Sequence, residues 1–75
     1  MKCYGYLLGN QKSLHELREL SLLAKPETLR ALAQFIEKCA DEIENDASWE
    51  HAHFSDFIKL TDDPVDIIVC SDNLV

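Results

Sequence analysis

Basic residues are scarce in this sequence. Seven Lys and Arg stand against fourteen Asp and Glu, for a formal net charge of −7. That balance argues against a nucleic-acid binder, which needs a basic footprint on phosphates. It argues equally against docking on a membrane of anionic lipid. Long apolar runs are missing too, and nothing approaches the roughly 18 residues of a membrane span. Met1 and Lys2 lead straight into a short mixed segment rather than a secretory leader. There are only three cysteines, Cys3, Cys39 and Cys70, each inside an apolar stretch. An odd set so placed reads as small hydrophobes rather than a disulfide framework, and the expected compartment is a reducing cytoplasm. In the apolar run around Cys70, burial is expected to keep the thiol inert. Glycine and proline occur twice each, with no linker or low-complexity tract. No Gly-rich phosphate loop, G-x-S-x-G or C-x-x-C motif is found. The sequence thus carries no legible catalytic set and calls for no cofactor; the expectation is not an enzyme.

What is there describes one domain over residues 1–75. Seventy-five residues, 47% of them hydrophobic and 28% charged, suffice for one core and not for two. Such a core supplies about 3–5 kcal/mol, so self-association is a natural staple. A homodimer through an edge strand, or through the face bearing Tyr4 and Tyr6, is one expectation.

Lys2 to Leu8 is aromatic-rich and too short for a helix, so it reads as a strand, with Gly9-Asn10 closing it. Leu14 to Ala24 is ambiguous. Ser13-Leu14-His15-Glu16 fits a helical capping box, whereas Leu20, Leu22 and Ala24 recur at the strand period of two. In the strand reading, Gly9 to Ser13 form a hairpin loop. Pro26 fits the first position of a helix, and Leu29, Leu32, Ala33, Ile36, Cys39, Ala40 and Ile43 recur behind it at helical spacing. That helix fades around Glu44 to Asn45 into a loop over Asn45 to Ser48. His51 to Ile58 alternates as a strand, with Ala52, Phe54 and Ile58 on one face and His51, His53 and Ser55 on the other. Thr61 to Pro64 is a turn, and Val65 to Cys70 a β-branched strand. The residues from Ser71 to Val75 show no pattern. The expected fold is α+β, one amphipathic helix on a four-stranded, mainly antiparallel sheet, in the order β-β-α-β-β.

Two surface features carry chemistry. Asp41, Glu42, Glu44 and Asp46, with Glu50 beyond, crowd the C-terminal end of the helix, where the dipole is already negative. They read either as a solvated face or as a binding patch for a basic partner. The second feature is His51 and His53 with Asp56, beside Trp49. H-x-H on a strand could share a metal ion with a third ligand, with His15, Glu50 or Asp66 as further candidates. The signal is unspecific; histidines pairing with carboxylates are the plainer reading, and the motif is left without a role and without a metal. Trp49 reads as a cover on the end of the core.

Three pieces together resemble the immunity protein 32 family of small bacterial proteins from polymorphic-toxin systems. They are Leu17 to Ala24 leading into Pro26-Glu27-Thr28-Leu29-Arg30, the helix end Ala40-Asp41-Glu42-Ile43, and His51-Ala52-His53-Phe54-Ser55-Asp56 followed by Val65-Asp66-Ile67-Ile68-Val69. The likeness covers about residue 14 to residue 70 and turns Leu17 to Ala24 toward a strand. Lys25 and Ala52 depart from it, standing where a small capping residue and an acidic residue are usual. The resemblance implies a non-enzymatic protein that neutralises a basic toxin made by its own cell, to which an acidic surface would steer it. The alternatives are a small metal-binding module and a regulatory homodimer.

Overall fold

The protein is described by a computed structural model over residues 1–59 and 65–72. It is α+β, in the order β1 (Cys3–Leu7), β2 (Asn10–Leu17), α1 (Pro26–Asn45), β3 (His51–His53), α2 (Phe54–Ile58) and β4 (Ile68–Cys70). The strands form two separate antiparallel ribbons, β1-β2 and β3-β4, and not the expected four-stranded sheet.

The first ribbon turns through Leu8-Gly9, between the paired residues Leu7 and Asn10. Gly9 has φ 79°, the left-handed conformation that a two-residue hairpin turn demands. The expected loop over Gly9 to Ser13 is therefore strand from Asn10 onward. The expected strand from Leu17 to Ala24 is corrected as well. β2 ends at Leu17, and residues 18–25 run to α1 without pairing. Period-two spacing in Leu20, Leu22 and Ala24 makes a strand only beside a partner strand, and none of the described strands pairs with it. A ladder irregularity separates Gly5 from Leu7, and Leu17 packs over Gly5, where an added Cβ would meet its Cδ1 at 3.2 Å.

α1 keeps the expected limits. Pro26 opens it, Lys25 contributes no side-chain cap, and the first helical bond runs from Leu29 N–H to the Lys25 carbonyl at 3.0 Å. Its apolar stripe, however, divides. Leu32, Phe35 and Cys39 are buried, whereas Leu29 and Ile36 remain 40% and 48% exposed. Among the described residues, the β3-β4 ribbon and α2 cover the buried part of the stripe, while Ser21 to Ala24 line a hollow with Leu29 and Leu32 and leave Ile36 open.

The sequence His51 to Ile58 was expected as one strand, but the strand ends at His53 and a turn of helix follows. The cause lies in the opposite segment. The Asp66 carboxylate accepts the Ser55 N–H at 2.9 Å, capping α2 where His53 offers no side-chain cap. The ladder continues past both strand ends, from Phe54 N–H to the Ile67 carbonyl at 2.8 Å and from Ser71 N–H to the Glu50 carbonyl at 2.9 Å. β4 itself is shorter than the expected Val65 to Cys70. The turn expected at Thr61 to Pro64 and the residues 73–75 lie outside the described residues.

The core gathers Leu32, Phe35, Cys39 and Phe54, flanked by Ala52, Ile58, Ile67, Val69 and Trp49. Phe35 sits between two rings, 5.4 Å from Phe54 and 5.5 Å from Phe57. Trp49 closes the end of the core as expected. All three cysteines are free. Cys70 is exposed rather than buried, because outward positions alternate along β4.

Candidate functional site

One face of α1, with Lys38 and Glu42, and the histidine pair His51 and His53 border one hollow of about 450 Å³, whose lining also includes Asp56 and Phe57. Strand alternation sets Asp56 apart from the histidines. The turn of α2 reverses that, and brings it into the same hollow. Glu42 joins them from α1, while Asp41, Glu44, Asp46 and Glu50 lie outside the lining.

The five acids differ in what they hold. Glu42 is half-buried and accepts from Lys38 Nζ at 2.5 Å and from Trp49 Nε1 at 3.2 Å. The Lys38 bond first, and the Trp49 bond second, hold its carboxyl below the usual range. Lys38 is raised in turn by the same bond. Asp46 builds the turn after the helix. Its carboxylate accepts the Ser48 hydroxyl at 2.6 Å and the Ser48 N–H at 2.9 Å, which lower its pKa. Asp41, Glu44 and Glu50 are exposed, and their carboxylates have no ion pair or hydrogen bond with a described residue. No basic residue stands in the last turn of α1.

His51 and His53 project from β3 with ring centroids 5.4 Å apart, edge to face. His53 Nδ1 lies 2.7 Å from Asp66 Oδ2. The sequence could not place Asp66; its distance along the chain gives no signal of this contact. Burial works to raise the Asp66 carboxyl, but bonds from His53, from the Ser55 N–H and hydroxyl, and from the Ile67 N–H outweigh it and leave the pKa lowered. Among the described residues, no three His, Cys, Asp or Glu are grouped to hold a metal ion. Cys39 also borders the hollow, but burial, reinforced by Glu42, raises its thiol and disfavours the nucleophilic thiolate.

A family model described as Immunity protein 32 matches residues 19–72, most of the chain. The chain belongs to the immunity protein 32 family. The match takes in α1, both ends of the hollow and the β3-β4 ribbon, and it opens two residues after β2 ends. Membership implies a toxin as the binding partner, and immunity proteins are generally not enzymes. No curated protein and no solved structure matches the chain. Among the described residues, no helix is long and apolar enough to cross a membrane.

Proposed function

We propose that this immunity protein neutralises a basic toxin by direct, non-enzymatic binding at the acidic end of α1, in the cytoplasm of the cell that makes both. The observation that carries the reading is the set of unpaired, exposed carboxylates on Asp41, Glu44 and Glu50. Glu42 and Asp46 already serve the fold, through Trp49 and Ser48. The other three carboxylates bond no described residue, and Glu44 in the last helical turn opposes the dipole. Charge so placed supports rapid, salt-sensitive capture of a positively charged partner.

Co-expression with a basic toxin, sought in the neighbouring coding regions, tests this. Growth should be restored by the native protein and lost with the triple variant Asp41→Asn, Glu44→Gln, Glu50→Gln, while circular dichroism shows the variant still folded. Full protection by that folded variant would move the toxin-binding surface elsewhere.

A further inference from the structure

The β1-β2 ribbon has no core of its own. Tyr4, Tyr6, Leu7 and Leu14 are each at least half exposed, and no residue of the ribbon is buried. A two-stranded ribbon is marginal in water unless something covers it. α1 offers what is lacking. Leu29, Ala33, Ile36 and Ala40 fall at i, i+4, i+7 and i+11 and form a second apolar stripe, next to the buried one and open to solvent.

Area shows how much is left uncovered. A folded monomer of this mass exposes about 4,700 Å² by the usual scaling of surface with size. This chain exposes 6686 Å². The surplus, about 2,000 Å², is more than twice the roughly 800 Å² each partner contributes to a standard interface. The radius of gyration agrees: 13.1 Å, against about 11.3 Å for a compact chain of this length.

Charge selects the occupant. Residues 1–18 carry Lys2, Lys12 and Arg18 against Glu16 alone, a side-chain balance of +2. Residues 26–50 hold seven acids against Arg30 and Lys38, a balance of −5. The stripe's own span, residues 26–40, balances Glu27 and Glu37 against Arg30 and Lys38, so the pull on the basic ribbon comes from the acids that begin at Asp41, and every copy carries both surfaces. A basic toxin fits the ribbon poorly.

We infer that two copies of this chain pair by exchanging ribbons, the β1-β2 ribbon of each lying across the Leu29–Ile36 stripe of α1 on the other. The arrangement is isologous, so a two-fold axis closes it and makes each contact twice. The eight residues 18–25 span up to about 26 Å, enough to carry the ribbon to its partner. Acids bordering the stripe, Glu37 among them, face the ribbon's lysines in the pair.

Sedimentation equilibrium tests the pairing. The native chain should run as a dimer of twice 8.6 kDa. Ile36→Glu places a charge in the interface, yet at a position exposed in the single chain; it should raise the dimer Kd at least ~100-fold. A mixture of isotope-labelled and unlabelled native chains should show nuclear Overhauser contacts from the Tyr6 ring of one copy to the Ile36 methyls of the other. This second measurement needs no variant, and so stands even if Ile36→Glu fails to fold. A native monomer at high concentration, a dimer indifferent to Ile36→Glu in its folded form, or mixed samples without those contacts would each overturn the inference.

Discussion

His53 and Asp66, thirteen residues apart in sequence, meet at 2.7 Å across the mouth of the β3-β4 ribbon. The same carboxylate caps α2 through Ser55 and bonds the Ile67 N–H. One side chain thus fixes where the strand stops and the helix starts.

Asp66→Ala should therefore cost about 1–2 kcal/mol, the range for losing a helix cap. Because the folded-state pKa of Asp66 is lowered, its contribution is present above the ordinary carboxylate pKa and disappears as pH falls through the folded value. Denaturant midpoints should fall below about pH 4 in the native chain. The Asp66→Ala chain should lose less over the same range; equal acid sensitivity would argue against the assignment.

Trp49 is the single tryptophan, and its indole N–H donates to Glu42. Glu42→Gln retains an acceptor and should leave the emission maximum nearly unchanged. Glu42→Ala should free the ring from the end of the core and shift its emission to the red. Identical spectra for the two variants would mean that packing alone holds Trp49.

Gly9→Ala should destabilise the ribbon by about 1 kcal/mol, since an L side chain at φ 79° meets the left-handed penalty. Gly5→Ala should cost less. Its Cβ would press only on the end of a flexible side chain, Leu17 Cδ1 at 3.2 Å. Amide exchange in β1 and β2 reads both.

Glu44→Gln should separate stability from binding. Removing a negative charge from the last turn of α1 should stabilise the chain by about 0.3–1 kcal/mol at low salt. The association rate with the toxin should fall at the same time, and added salt should erase the difference. A rate unchanged at low salt would take Glu44 out of the binding surface.

Helix α1 was legible because its signals are local: Pro26 at the start, apolar residues every three or four positions, and acids that end the pattern. The strands were less so, since a strand is defined by what lies beside it. Leu20, Leu22 and Ala24 have strand spacing and no paired strand among the described residues, whereas the polar run from Asn10 to Ser13 became strand once Gly9 fixed the turn. Phe54 to Ile58 has an alternation that suits a strand, and a carboxylate eleven residues downstream of Ser55 makes it a helix instead. At the site, the acids and histidines were each visible in the sequence. That Glu42, His51, His53 and Asp56 share one hollow depends on long-range packing, which spacing does not encode.

The free span of residues 18–25 has a consequence for any unfolding experiment. Trp49 belongs to the half of the molecule built on α1, and the ribbon lies on the far side of that span with no buried residue to couple the two. In dilute solution the ribbon should melt first. Far-ultraviolet dichroism would record both events and tryptophan emission only the second. Their midpoints should part company on dilution and coincide at high concentration, where a single cooperative transition returns.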